Sequence, residues 1–313
     1  MRAPLLSPFR KTRPASEPRI LVAGASDNLR GTLLMVLSMA AFTCNDALMK
    51  AVTRSLPLYE SVAVRGLMIL GLMLVVAQVQ QGGVTLRVPR RDLPALALRT
   101  LADIVSTVLY LIALRQMALA DLSAIMQALP LAVTLAAALF FHEPLGWRRL
   151  TAIGVGFLGV LLILRPGSGA FDIWSVIALA SMALIVVRDM ATRCFSARLA
   201  SSTIAFYAAL SVMLSGFALA GEESWRLPDA GEWLLLLASA LFLTVGYITA
   251  VATMRVGEIS FVAPFRYTSL VWAIVLGLLV FGEWPDLWTW AGSALVVGAG
   301  LYTILRERHL GVA

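Results

Sequence analysis

The sequence predicts an all-α polytopic membrane protein, with ten transmembrane helices arranged as two inverted five-helix repeats. Three observations predict it. Of the 313 residues, 60% are apolar and only 14% charged, where a soluble domain carries about 25% charged residues; the mean hydropathy is +0.86. The apolar residues gather into runs long enough to cross a bilayer, which takes about 20 residues of helix. Scarce ionisable residues recur at matched spacings in the two halves. These figures exclude a soluble single-core enzyme and a disordered chain, which needs low hydrophobicity and high charge. A transmembrane barrel is excluded too, because no run alternates polar and apolar over about ten residues.

The first element is a basic tail over residues 1–29, with Arg2, Arg10, Lys11, Arg13 and Arg19 among Pro4, Pro8, Pro14 and Pro18. It reads as a disordered cytoplasmic segment. A cleaved signal is the competing reading, but the apolar run that follows continues as a full span. The spans come next, at roughly 30–53, 57–79, 93–114, 121–141, 148–165, 172–193, 201–220, 231–254, 258–281 and 287–305. Short connections carry Pro57, Pro89, Pro144, Pro166, Pro228 and Pro285.

Orientation follows from the basic residues. The tail, Arg30, Arg87, Arg90, Arg91, Arg148, Arg149, Arg193, Arg198, Arg255, Arg306 and Arg308 fall on one side. Arg54, Arg115, Arg165 and Arg226 fall on the other. This places both termini in the cytoplasm. The net charge of +7 thus reflects membrane orientation, and no nucleic-acid partner is expected. Two cysteines and two histidines, with Cys44 and Cys194 tied to apolar runs, indicate neither a disulfide framework nor a metal site.

Ser38-Met39-Ala40 begins a run reaching Asp46 and Lys50; Ser181-Met182-Ala183 begins one reaching Asp189 and Arg193 at the same spacing. Asp121-Leu122-Ser123 and Glu258-Ile259-Ser260 open spans four and nine, which close at Glu143 and Glu283. Gly159 to Arg165 and Gly300 to Arg306 close spans five and ten alike. The repeat divides the chain into units over 30–165 and 172–308. Five spans per unit is odd, so the second unit enters the membrane upside down, the architecture of many secondary transporters.

On these residues the chain resembles the drug/metabolite transporter superfamily, specifically its ten-helix EamA-type members. The resemblance rests on Asp121 through Pro130 to Glu143, on Ala263-Pro264-Phe265-Arg266-Tyr267 through Phe281-Gly282-Glu283, and on the Gly-rich span after each Glu. It covers residues 30 to 308. Pro130 fits the family's proline before the Glu, whereas Pro264 stands earlier than that pattern. The resemblance implies an inner-membrane carrier of small organic metabolites working by alternating access. The Ala-Pro-Phe-Arg-Tyr-Thr stretch is similar to a subgroup that includes S-adenosylmethionine and riboflavin carriers.

A charge at the centre of a lone helix costs about 2.5–3.5 kcal/mol, so ionisable residues within spans face a cavity or a partner. Asp46/Lys50, Arg99/Asp103 and Asp189/Arg193 each have the i, i+4 spacing that shares one helix face. They read either as a polar lining or as self-neutralising pairs; Asp46, Lys50, Asp189 and Arg193 lie near span ends and read also as opposing gates or ion-coupling groups. Arg266 follows the mid-span Pro264, and exposed backbone inside a membrane is tolerated beside protein or a water-filled cavity. It reads as a substrate contact or as the partner of an Asp. Gln127 stands one turn before Pro130, and Arg65 and Arg188 complete the buried cations. Tyr110, Tyr247, Tyr267 and Trp272 fall within spans and read as stacking or packing residues; Trp147, Trp225, Trp233, Trp284 and Trp288 mark the interfacial belt. Glu143 and Glu283 read as capping or gate contacts.

The function expected is secondary transport of a small organic metabolite, such as an amino acid, riboflavin or an S-adenosylmethionine-like solute. No phosphate-binding loop is present, so movement follows a substrate gradient, exchange or an ion gradient such as protons. The alternative is a lipid or lipid-linked sugar flippase, and the remote one a membrane-embedded enzyme. No cofactor is expected. Substrate identity, direction of transport and oligomeric state stay open.

Overall fold

The computed structural model describes residues 25–81, 83, 86–143, 145–166, 172–196, 199–221, 225–256 and 259–309. Span one is Ala25–Val52, span two Leu58–Gln81 and span three Leu93–Gln116. Span four comes in two pieces, Leu119–Met126 and Leu129–Phe141. Span five is Trp147–Leu164, six Ile173–Arg193, seven Ser201–Leu219 and eight Ala230–Val256. Span nine runs as Ile259–Val262, a 3-10 turn Ala263–Tyr267, Thr268–Leu276 and a π turn Gly277–Phe281; span ten is Leu287–His309. Among the described residues nine helices are long and apolar enough to cross a membrane, and Thr203–Leu219 in span seven is apolar but shorter. Span one starts at Ala25, within the tail expected over 1–29. Residues 1–24 and Glu258 lie outside the described residues.

Local chemistry sets these boundaries. Asp172 caps span six by accepting from the Ser175 backbone N–H at 3.1 Å, the ordinary N-cap role of an aspartate. Spans four, five and nine end on left-handed residues, His142 (φ 55), Arg165 (φ 49) and Gly282 (φ 67). Glycine adopts that conformation without the clash a Cβ brings. His142 and Gly282 occupy equivalent places in the two halves, and each is followed directly by its Glu. Pro130 sits in the first turn of Leu129–Phe141 and Pro264 in the first turn of Ala263–Tyr267, where the missing N–H has no partner to lose.

Span one packs on eight, three on six, five on ten and two on seven. Exchanging each span with the one five places along turns the first contact into the second and leaves the other two unchanged. Hydrogen bonds obey the same exchange. Buried Ser38 donates to the Gly246 carbonyl in span eight at 2.8 Å, and buried Ser181 donates to the Ser106 carbonyl in span three at 2.9 Å. The repeated Ser-Met-Ala motif therefore marks two equivalent helix crossings. Spans five and ten meet backbone to backbone: a Cβ on Gly159 would lie 2.7 Å from the Gly292 carbonyl oxygen, and one on Gly292 2.5 Å from that of Gly159.

The largest apolar core gathers at the end of the bundle where span one finishes and spans four and eight begin. Met49, Val52, Leu56, Leu114, Leu119, Leu122, Ile125 and Leu236 are all essentially inaccessible there. The opposite end, near Arg193, has smaller clusters around Ala137 and Met190. The two ends are called below the Lys50 end and the Arg193 end.

Candidate functional site: a charged centre with an ion pair at each end

Midway along the bundle, polar side chains from spans one, two, three, six and eight converge. Asp46 accepts from the Tyr110 hydroxyl at 2.8 Å and from Asn45 Nδ2 at 3.0 Å. Asn45 Oδ1 in turn accepts from Arg65 Nη1 at 3.0 Å and from the Ser239 hydroxyl at 2.8 Å. Toward the Arg193 end, Asp103 lies 3.2 Å from Arg188 and 3.7 Å from Arg99. Arg188 also holds Asp189 at 3.0 Å, and Arg99 Nε donates to the Thr192 hydroxyl at 3.1 Å.

Tyr247 connects the groups. Its ring packs edge-on against Phe42 at 5.3 Å, and it lies within Coulombic range of Arg188, Asp103, Arg99 and Arg65. It nevertheless exposes 54% of its surface. Tyr247 thus stands among charges from three other helices with about half of its surface uncovered.

A second group forms where spans four and nine break. Gln127 Nε2 donates to the Ser269 hydroxyl at 2.7 Å and approaches the carbonyls of Tyr267 at 3.4 Å and Arg266 at 3.5 Å. Thr43 reaches the Ser269 carbonyl from span one at 3.4 Å. Gln127 thus supplies donors to backbone that the break in span nine leaves unpaired. Tyr267 is buried with its hydroxyl against Gly300, so it packs and does not line open space. Trp272 is half-buried a little further along span nine. The Arg266 side chain is exposed, and among the described residues no carboxylate pairs with it.

Two of the three expected i, i+4 pairs do not form. Lys50 binds Glu283 at 2.6 Å instead of Asp46, and Arg193 binds Glu143 at 2.9 Å instead of Asp189. Sharing a helix face brings two groups near each other but does not satisfy the groups of neighbouring helices. Lys50 also donates to the Met117 carbonyl at 2.6 Å, and Glu283 accepts from the Leu119 backbone N–H at 2.9 Å. The pair therefore clamps both ends of the link between spans three and four, whose backbone groups have no helical partner. Only Arg99/Asp103 approaches as its spacing suggests.

Each ion pair joins a cation of one half to the Glu of the other, one at each end of the bundle. Their settings differ. Lys50 is 2% exposed and Glu283 23%, whereas Arg193 and Glu143 are 47% and 51% exposed. The Lys50 end is also tied by Arg165 to Asp286, by Thr289 to Asp121 at 2.7 Å, and by Arg226 and Ser55 to Glu232 at 2.5 and 2.7 Å. Asn45, Ser239 and Thr192 are members of the site that spacing does not single out; an amide next to Asp46 in an apolar run is the one available signal.

A ten-span bundle of two equivalent halves around a charged, half-open centre defines a polytopic carrier of small solutes. A family model described as the EamA-like transporter family matches residues 29–165 and again 172–305. The chain belongs to that family, within the drug/metabolite transporter superfamily. It is 30% identical over 270 residues to the pseudopaline exporter CntI of Pseudomonas aeruginosa, covering 86% of this chain and 94% of that protein. It is 27% identical over 175 residues to a riboflavin transporter of Vibrio cholerae, covering 56% and 58%. It is 26% identical over 186 residues to an S-adenosylmethionine uptake transporter of Rickettsia felis, covering 58% and 61%. One crystal structure superposes with a TM-score of 0.63 at 20% identity, covering 89% of this chain and 98% of its own, a likeness of fold alone. The chain is a multi-pass small-metabolite transporter.

Proposed function

We propose that this protein carries its solute across the inner membrane by alternating access, with both termini cytoplasmic and the binding site at the charged centre. The observation that carries this reading is the reciprocal pair of ion pairs, Lys50–Glu283 and Arg193–Glu143, each crossing between the halves. An ion pair on each face, built from equivalent residues, is what two alternately opening gates require. The unequal burial of the two pairs corresponds to a state closed at the Lys50 end and loosely held at the Arg193 end. With positive charge inside, that is a cytoplasm-facing state.

Asp46, Asp189, Arg99, Asp103, Tyr110 and Tyr247 would contact solute or the coupling ion, with Gln127, Tyr267 and Trp272 shaping the broken helices beside them. Arg266 would meet the solute on its route, because an exposed guanidinium inside a span, with no carboxylate paired to it among the described residues, faces water and not hydrocarbon. The charged lining suits a polar organic solute and not a lipid-linked one. The relatives named for pseudopaline, riboflavin and S-adenosylmethionine support a cargo of that size.

The test is uptake into proteoliposomes over a panel of amino acids, riboflavin, S-adenosylmethionine, carboxylates and nucleosides, with and without a pH gradient, in wild type and Arg266→Ala. The expected result is gradient-driven accumulation of at least one solute, lost in the variant while its abundance and melting temperature stay at wild-type values. A variant that fails to accumulate in the membrane would assign Arg266 a structural role instead.

A further inference from the structure

Arg65 and Asp46 form a divided ion pair. Arg65 is 6% exposed, yet its one hydrogen-bonded acceptor among the described residues is the neutral Asn45 oxygen, and no carboxylate lies within ion-pair distance. Its Nε is buried without any acceptor. Asp46 is the complement: it receives only neutral donors, from Tyr110 and Asn45. The Asn45 amide stands between them, its oxygen toward Arg65 and its nitrogen toward Asp46, and Ser239 fixes it there from span eight. The two charges are close enough to sense each other but do not touch. Arg99 also has a buried nitrogen, Nη1, without a hydrogen bond, although Asp103 stands 3.7 Å from it. Arg188 differs, because Asp103 and Asp189 occupy it.

A buried guanidinium without its anion, beside a carboxylate without its cation, is poorly satisfied by protein alone. Across the centre the formal charges of Arg65, Arg99 and Arg188 cancel those of Asp46, Asp103 and Asp189. A solute of one sign alone would leave the opposite pole unmet, whereas one carrying both a carboxylate and an ammonium meets both. A carboxylate matches the planar fork of a guanidinium, and an ammonium supplies what Asp46 lacks.

We propose, building on the carrier reading above, that the cargo is an amino-carboxylate, its carboxylate taken by Arg65 with help from Arg99 and its ammonium by Asp46. Asn45 is the positioning residue that holds the two poles apart until the solute arrives. Tyr247 provides the open wall along which the rest of the solute lies. Neutral solutes lacking both groups are poor cargo.

The test uses purified full-length protein in proteoliposomes with five probes: S-adenosylmethionine, L-methionine, 4-(methylthio)butyrate without the ammonium, 3-(methylthio)propylamine without the carboxylate, and riboflavin with neither. The expected result is uptake of one or both amino-carboxylates at least tenfold above the other three. Arg65→Gln lowers that uptake at least tenfold and erases the preference over the amine. Asp46→Asn erases the preference over the butyrate. Should Arg65→Gln fail to fold, Arg65→Lys keeps the cation, removes the Nε donor, and is expected to lose the preference likewise. Riboflavin moving while the amino-carboxylates do not, or preferences unchanged in both variants, would overturn the assignment and leave the carrier reading standing. A folded wild type that moves none of the five counts against the carrier reading itself.

Discussion

Replacing Lys50 with Met should unlock one end of the protein and leave the other alone. Lys50 Nζ makes two short hydrogen bonds, to Glu283 and to the Met117 carbonyl, both 2.6 Å. Each charge-assisted bond is worth about 1.5–3 kcal/mol net, and breaking a buried pair by removing one partner costs about 3–5 kcal/mol. Arg54, 3.9 Å from Glu283 and stacked on Phe281 at 4.7 Å, recovers part of the loss. A cost of about 3 kcal/mol to the state closed at the Lys50 end remains, which moves a two-state equilibrium about 150-fold, since 1.4 kcal/mol is tenfold. The equivalent Arg193→Met removes a pair half exposed on both sides, worth about 0–1 kcal/mol. Spin labels at Arg115 and Trp284, both exposed near the Lys50 end, report its opening by pulsed electron resonance after Cys44 and Cys194 are replaced by Ser. Lys50→Met should add a long-distance population, and Arg193→Met should not. Equal responses from the two single variants, or none from Lys50→Met, would refute the assignment of the gates.

Three further outcomes follow from the packing. Gln127→Leu strips the donor from Ser269 and the carbonyls around Tyr267 and should destabilise by about 1–3 kcal/mol, the cost of leaving a buried polar group unpaired, read as a lower melting temperature in detergent. Gly159→Val drives a side chain into the Gly292 carbonyl and Leu295 and should cost at least about 1–3 kcal/mol, as overpacking does. Gly154→Ala, with nothing within 4 Å of its new Cβ, should leave melting unchanged.

Much of this architecture is legible in the chain because the bilayer imposes a simple rule. Spans must be long and apolar, and the breaks at Pro130 and Pro264 announce themselves. The repeat is legible because Ser38, Asp46 and Lys50 have counterparts at Ser181, Asp189 and Arg193. Partner choice is not. Spacing finds residues on one helix face, so it joins Lys50 to Asp46, while the buried acceptors that claim Lys50 belong to Met117 and Glu283 far along the chain. Arg65 carries no repeat partner and no i, i+4 carboxylate, so nothing in its neighbourhood marks it as central. Gln127 and Tyr267 look alike as polar groups near a kink, yet one repairs broken backbone and the other packs against Gly300.

The Lys50–Glu283 clamp also has a meaning for biogenesis. The two residues are separated by 233 positions, which at about 5–20 residues per second of synthesis is roughly 12 to 47 s. Throughout that interval the lysine is already in the membrane, and its long stem lets the ammonium reach the headgroup layer. Only when the ninth helix emerges can Lys50 withdraw from the headgroups and the link between spans three and four close. The burial of this one side chain thus waits on the end of span nine, and a chain truncated before Glu283 lacks the carboxylate that draws the ammonium inward.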